Sequence, residues 1–193
     1  GIMYVDNKEK HIIRYPQFFA LMNMKRDIEN ENEGGVVWHT QGSGKTALAA
    51  FAVRYLQYLY AKKGIISRFF FVVDRLDLLK QASDEFTIRN FEVKKVNSKE
   101  EFAKELNKIS GLGKGVKRSL GEVVIVNIQK IIDDLPVANN DYEAKIKRVI
   151  FVDEAHRSYK SGGEFYKNLR TIDREANYYA LTGTPILSKK ERS

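Results

Sequence analysis

The chain has 193 residues, 43% of them hydrophobic and 30% charged, a balance typical of one globular domain and not of a disordered chain. Its 33 lysine and arginine residues against 25 acidic ones give a net charge of +8, which favours a polyanionic partner such as nucleic acid. Charge alone does not distinguish a nucleic-acid-binding protein from an ordinary basic protein. With no cysteine, three histidines and no apolar run of membrane-spanning length, the sequence argues against disulfides, a thiolate zinc site and a transmembrane helix, and we expect a cytoplasmic location.

Strand-like segments of β-branched and aromatic residues alternate with segments of helical periodicity along the chain. The predicted strands are Val36–His39, Arg68–Val73, Glu92–Val96, Val123–Asn127, Val149–Asp153 and Tyr178–Thr182. The predicted helices are Thr46–Lys62, with Gly64 at its C-cap, Leu76–Phe86, Lys99–Ile109 and Gly163–Arg170. A glycine-rich basic stretch at residues 110–119 is predicted to be a surface loop, with a phosphate-backbone contact as the alternative. The alternation predicts a doubly wound, mostly parallel α/β sheet flanked by helices.

The segment at residues 35–46, GVVWHTQGSGKT, has the layout of a phosphate-binding loop between a strand and a helix. Its glycines permit a tight turn that points successive N–H groups at one anion. Lys45 adds a positive charge, and the Thr46 hydroxyl is a candidate Mg²⁺ ligand. The strict pattern requires glycine where this chain has His39, so the match on spacing alone is incomplete.

Two further motifs lie at the ends of predicted strands. Asp153 and Glu154 follow the apolar run of residues 149–152, where the ligands of an open parallel sheet bind. Burying two adjacent carboxylates is costly unless a cation compensates their charge, so Asp153 is predicted to hold Mg²⁺ and Glu154 to orient and deprotonate water. The alternative is a solvated acidic turn. The Thr182-Gly183-Thr184-Pro185 turn is by itself a weak signal.

In this order the motifs resemble those of superfamily 2 helicases and translocases, and more specifically the motor (R) subunit of type I restriction–modification enzymes. Similar segments are residues 38–46 (motif I, His39 included), 71–78 (Ia), 125–130, 153–158 (II) and 181–186 (III). The resemblance covers residues 14–186. It departs at Asn127, where the family usually has a hydroxyl residue.

The resemblance implies a RecA-like P-loop lobe that binds ATP and Mg²⁺ and couples hydrolysis to translocation on double-stranded DNA. The implied nucleotide ligands are Gln17, Thr40, Gln41, Gly42, Ser43, Gly44, Lys45 and Thr46. The implied metal ligands are Thr46 and Asp153. The implied catalytic residues are Lys45, Asp153, Glu154 and His156. Thr182, Gly183 and Thr184 would couple the nucleotide to the DNA track, which would include Arg75, Gln129 and Lys130.

Two of these assignments have a specific alternative. The Gln17 amide can donate and accept at once, which suits the edge of adenine, but it could equally be a surface glutamine on an amphipathic helix beginning near Pro16. Arg75 could be an ordinary solvated arginine at a helix start, and Lys130 could likewise be an ordinary solvated lysine.

The resemblance also predicts what this chain lacks. Since the chain starts with Gly1 and stops soon after motif III, we expect one motor lobe, with the second RecA-like lobe and its arginine finger elsewhere. The Glu-x-Lys triplets at residues 92–94 and 143–145 have no acidic partner, so we expect no nuclease site in this chain and little activity of the fragment alone. The implied partners are the specificity and methyltransferase subunits of the same complex. Rival interpretations are an RNA helicase, a chromatin remodeller, or a non-catalytic nucleotide-regulated binding module.

Overall fold

The computed structural model describes residues 3–6, 9–40, 42–108, 121–130, 135–138, 145–153 and 170–183. The strands within these residues are β1 (Met3–Asp6), β2 (Glu9–Ile12), β3 (Gly34–Trp38), β4 (Ile66–Val73), β5 (Glu92–Val96), β6 (Glu122–Asn127), β7 (Ile146–Asp153) and β8 (Asn177–Thr182). The helices are α1 (Tyr15–Glu29), α2 (Lys45–Lys62), α3 (Leu76–Ile88) and α4 (Lys99–Leu106), with a short 3₁₀ helix at Ile128–Lys130.

Six of the strands form one parallel sheet in the order β3-β8-β7-β4-β6-β5. The strands that carry motifs I, III and II are therefore direct neighbours, although more than a hundred residues separate the first from the other two in sequence. Because all six strands run in the same direction, their carboxyl ends meet along one edge of the sheet. This edge is where the topology places the candidate site.

Alternate residues of the central strands supply two separate cores, one on each face of the sheet. Phe69 and Phe71 of β4 pack with helices α1, α2 and α3, whereas Phe70 and Val72 pack with α4. Both faces are buried because helices cover both, which explains why residues 69–73 of β4 and 149–152 of β7 are continuously apolar. The predicted doubly wound parallel α/β fold is confirmed.

All six predicted strands of the parallel sheet are present, with shifts at their ends. β3 begins at Gly34, two residues earlier than predicted, because Gly34 and Gly35 extend the pairing with β8. Helix α3 continues to Ile88, and α4 stops at Leu106, where Asn107 is the C-cap, so the prediction that it reaches Ile109 was wrong. The C-cap of α2 is Lys63, one residue before the predicted Gly64, and Gly64 follows it with a φ of +67°, the left-handed conformation that commonly terminates a helix.

The β1–β2 hairpin and the full extent of α1 were not predicted. Proline lies in the first turn of α1, as expected, but the buried positions Leu21, Met24 and Ile28 give the helix only a weak apolar stripe. The predicted helix Gly163–Arg170 falls outside the described residues except for its last residue, and the loop at residues 110–119 falls outside them entirely. No helix among the described residues is long and apolar enough to cross a membrane.

Buried ion pairs stabilise the amino end of the sheet, opposite the candidate site. Arg148 of β7 and Asp173 are each only 1% exposed and form an ion pair of 2.9 Å, while Arg148 Nε donates to the carbonyl of Leu106 at 3.0 Å. Arg68, the register partner of Arg148 on β4, pairs with Glu105 of α4 at 3.0 Å. Each buried arginine thus has a carboxylate that offsets the loss of its hydration.

Two buried tyrosines join α1 and α2 to β8. The Tyr60 hydroxyl donates to Asn177 Oδ1 at 2.7 Å, and the Tyr179 hydroxyl donates to the carbonyl of Met24 at 3.3 Å. Burial raises the pKa of both hydroxyls, so both remain neutral donors at physiological pH. These bonds hold α1 and α2 against the sheet, and α2 is the helix that follows the phosphate-binding loop.

Candidate nucleotide site

The loop between β3 and α2 has the backbone conformation of a phosphate-binding loop. Gly42 and Gly44 both lie in the left-handed region, with φ of +78° and +80°. A Cβ atom on Gly44 would also lie 2.9 Å from Nε2 of Gln17, so position 44 requires glycine for both its backbone angle and its close packing. The predicted tight turn is therefore present between Trp38 and Lys45.

The N-terminus of α2 is suited to an anion. Its N-cap residue is Gly44, which has no side chain to accept the helix amides, and its first turn contains no acidic residue. At α4, by contrast, the hydroxyl of the N-cap residue Ser98 accepts the N–H of Glu101 at 3.2 Å. Oγ of Ser43 is buried and has no hydrogen-bond partner among the described residues. A phosphate oxygen at this N-terminus would satisfy both the helix amides and this hydroxyl.

A cavity of about 620 Å³ contains most of the predicted nucleotide ligands. Lys45 is the first residue of α2 and is 9% exposed, and Asp153 is half-buried at the end of β7. Both residues line the cavity, together with Arg14, Gln17, Gly42, Ser43, Gly44 and Thr46. The predicted convergence of the loop and the motif II aspartate is thus present in the geometry.

The donor set for a metal is small. No group of three histidine, cysteine, aspartate or glutamate side chains capable of holding a metal occurs within the described residues. Thr46 and Asp153 both line the cavity, and a hydroxyl with one carboxylate is an oxygen donor set that suits Mg²⁺. These residues fit an ion that keeps several waters and is held largely by the phosphates of a nucleotide.

Gln17 is not a surface residue. It is 4% exposed, and its Nε2 donates to the carbonyls of Ser43 at 3.3 Å and Gly44 at 3.0 Å. Its Oε1 accepts the N–H of Arg14 at 3.0 Å. The solvated alternative for this glutamine is wrong, because both amide hydrogens are directed at the backbone of the phosphate-binding loop.

Replacing Gln17 by glutamate tests whether this amide acts on the loop or on a base. Glutamate can still accept from Arg14 but cannot donate to Ser43 and Gly44, and we expect the affinity of the chain for ATP·Mg²⁺ to fall roughly tenfold. Calorimetry with ATP and with tripolyphosphate, which has no base, would measure this. A Gln57→Glu variant in the distant half of α2 controls for the added charge.

If the affinities for ATP and tripolyphosphate fall together, Gln17 positions the phosphate-binding loop. A loss confined to ATP would instead support adenine recognition, and unchanged binding of both would contradict either role.

Motif III is joined directly to motif I. Thr182 is fully buried at the end of β8, and its carbonyl accepts the N–H of His39 at 2.9 Å. The carbonyl of Gly183 accepts the indole N–H of Trp38 at 3.4 Å. The sequence motif did not identify Trp38 as a contact of the coupling segment, because its side-chain partner lies 145 residues away.

The three predicted DNA contacts lie in different settings. Arg75 is exposed at the start of α3, where its guanidinium contacts Asp77 through two bonds of 3.1 and 3.0 Å. Gln129 is exposed, and its N–H donates to Oδ1 of buried Asn127 at 3.1 Å. Lys130 ends the 3₁₀ helix, and its side chain lies outside the described part. Asp77 engages Nε and Nη2 of the guanidinium, so a phosphate at Arg75 would bind through Nη1 or compete with this carboxylate.

Several predicted site residues are not tested by this geometry. Gln41, Glu154, His156 and Thr184 lie outside the described residues. Thr40 is exposed and does not line the cavity, but its carbonyl accepts the N–H of Ser43 at 3.1 Å within the loop. The cavity also extends along one face of α3, through Leu78 of the Ia segment and through Gln81, Glu85 and the C-cap residue Arg89, which lie in no sequence motif.

The profile of the SWI2/SNF2 ATPase family matches residues 16–193. The chain belongs to this family. The match includes Gln17, the phosphate-binding loop, Asp153 and the Thr182-Gly183 turn, which are the features that the fold assembles at one edge of the sheet.

The chain is similar to endonuclease subunits of type I restriction enzymes. The chain is 30% identical to the SsaAORF53P endonuclease subunit of Staphylococcus saprophyticus over 89% of its length, and 29% identical to the putative MjaIXP endonuclease subunit of Methanocaldococcus jannaschii over 98%. It spans only 17% and 18% of the length of these two relatives. The predicted similarity to type I restriction motor subunits is confirmed.

Solved structures support the fold. The chain matches a nuclease-deletion mutant of the type ISP restriction–modification enzyme LlaGI with a TM-score of 0.60 and 18% identity, covering 92% of this chain and 18% of that one. It matches the Sulfolobus solfataricus SWI2/SNF2 ATPase core with a TM-score of 0.57 and 17% identity, covering 94% and 34%. The predicted RecA-like α/β fold is confirmed.

Proposed function

We propose that this chain is the first motor lobe of a type I restriction endonuclease subunit, coupling ATP hydrolysis to translocation of double-stranded DNA before cleavage. The observation that carries the proposal is the order β3-β8-β7, which brings the phosphate-binding loop, the Thr182 turn and Asp153 to one edge of the sheet. The similarity to type I restriction endonuclease subunits selects this motor among those of the same fold.

Within this proposal the phosphates of ATP bind the amides of the loop and the Lys45 ammonium group. Thr46 and Asp153 would hold Mg²⁺, which supplies positive charge that neutralises the phosphates when it is bound. Glu154 would orient and deprotonate the attacking water, since phosphoryl transfer depends mainly on positioning and charge neutralisation. His156, Thr182, Gly183 and Thr184 would pass the state of the site to the DNA track.

The chain would supply one half of the hydrolytic site. A second RecA-like lobe would provide an arginine, a group worth about 10³–10⁵ in kcat in related NTPases. We therefore expect this chain alone to bind ATP·Mg²⁺ weakly and to hydrolyse almost no ATP. The nuclease domain would lie elsewhere in the same polypeptide, and specificity and methyltransferase subunits would complete the complex.

The test is ATP hydrolysis by the full-length protein with different nucleic acids. We expect double-stranded DNA to stimulate hydrolysis and single-stranded RNA to have little effect. Glu154→Gln should lower the stimulated kcat by at least about 10² while nucleotide binding is retained. A Glu92→Gln variant, which makes the same chemical change at the exposed start of β5, should behave as wild type.

The rival functions predict different outcomes. An RNA helicase would respond to RNA and not to double-stranded DNA. A non-catalytic nucleotide-regulated module would keep its function in the Glu154→Gln variant, since it has no use for a base beside the metal ligand. Stimulation by double-stranded DNA without DNA cleavage in the assembled complex would favour a remodelling translocase.

A further inference from the structure

Trp38 has an unusual position for the one tryptophan of the chain. It is the last residue of β3, a strand at the edge of the sheet, and 62% of its surface is exposed. The indole therefore contributes little to either core, although burying a tryptophan is a large source of stability. Its observed polar contact is the bond from Nε1 to the carbonyl of Gly183.

That bond extends the pairing of β3 and β8 beyond the end of both strands. Trp38 is the register partner of Thr182, and the His39 N–H donates to the carbonyl of Thr182 at 2.9 Å. The next carbonyl, that of Gly183, accepts from the Trp38 side chain at 3.4 Å. Two consecutive carbonyls of motif III are thus held by two consecutive residues that enter the phosphate-binding loop.

The side chain has a function here that strand propensity does not explain. Phenylalanine, tyrosine or valine would suit an edge strand equally well, but none has an N–H on its side chain. The residue that follows Gly183 in motif III is a predicted coupling residue, and the residues that follow His39 form the loop that would close on phosphate. A displacement of the loop on phosphate binding would move both donors.

We propose that Trp38 is a positioning residue that transmits the occupancy of the phosphate-binding loop to motif III, through the bond from its indole to Gly183. In this role Trp38 contacts no reacting atom. Its bond makes the Thr182-Gly183 backbone move together with the phosphate-binding loop. The proposal rests on the proposed motor function.

The first test is kinetic and uses the full-length protein. Trp38→Phe keeps an aromatic ring and removes the N–H donor. We expect the factor by which double-stranded DNA stimulates hydrolysis to fall about 3- to 10-fold, with the KM for ATP unchanged, because one neutral hydrogen bond is lost. Val36→Ala, on the same exposed face of β3, removes apolar surface without a donor and should leave the stimulation intact.

The second test is spectroscopic and uses the chain alone, where all tryptophan emission comes from position 38. We expect saturating ADP·Mg²⁺ to change the emission maximum or the acrylamide quenching, and the Lys45→Ala variant to show no change. An unchanged signal while calorimetry reports binding would overturn the proposal, as would normal DNA stimulation in Trp38→Phe. If DNA fails to stimulate the wild-type protein, the proposed motor function itself fails.

Discussion

Replacing Lys45 by alanine is expected to reduce ATP hydrolysis by the full-length protein by about 10²–10³ and to remove measurable nucleotide binding by this chain. Lys45 is the first residue of α2 and lines the cavity beside the glycines of the loop. Its ammonium group is the positive charge that the sequence motif assigns to the phosphates. Without it, the loop amides and Mg²⁺ alone would have to compensate the charge of the triphosphate.

Steady-state hydrolysis and calorimetry would measure the two effects. The matched control is Lys63→Ala, which removes the same charge at the exposed C-cap of the same helix and should change neither quantity more than twofold. DNA-stimulated hydrolysis that survived in Lys45→Ala would contradict the assignment of the loop as the ATP site.

The largest effect on stability is expected at the other end of the sheet. Replacing Asp173 by alanine should lower the free energy of unfolding by about 3–5 kcal/mol, because it removes a carboxylate that lies 2.9 Å from the buried Arg148 guanidinium. Urea denaturation of the chain would measure the change. The Arg148 bond to the Leu106 carbonyl remains, but a carbonyl does not neutralise the charge.

Two controls separate the loss of a buried pair from the loss of any pair. Glu33→Ala removes the partner of Arg170 in an exposed pair and should cost less than about 1 kcal/mol. A double variant, Arg148→Met with Asp173→Leu, removes both buried charges and should recover most of the stability lost in Asp173→Ala. If the single and double variants were equally destabilised, the loss of the Asp173 carboxylate beside a buried charge would not be the cause.

The sequence was most informative where local pattern and chemistry coincide. The apolar runs ending at Val73, Asn127, Asp153 and Thr182 predicted buried parallel strands, and a strand followed by glycines and Lys45 predicted the loop. These features depend on residues close together in the chain, so their physical reasons are readable without a structure.

Other features depend on residues that are distant in sequence. The amide of Gln17 reaches carbonyls 26 and 27 residues away, and the indole of Trp38 reaches one 145 residues away. Neither contact leaves a periodic or compositional signal. The hairpin of β1 and β2 was missed for a different reason, since two four-residue strands without an apolar run do not differ from a polar loop in composition.

Strand β7 carries Arg148, whose ion pair with Asp173 is the subject of the stability prediction, and Asp153, the proposed Mg²⁺ ligand, at opposite ends. Five residues of extended chain place their Cα atoms about 17 Å apart, with the fully buried run Val149, Ile150, Phe151 and Val152 between them. Substitutions at one end should therefore be additive with those at the other. We therefore expect substitutions at Arg148 to lower the stability of the lobe with little change in nucleotide affinity, and substitutions at Asp153 to weaken binding of ATP·Mg²⁺ with little change in stability, so that folding and ATP chemistry could be studied independently.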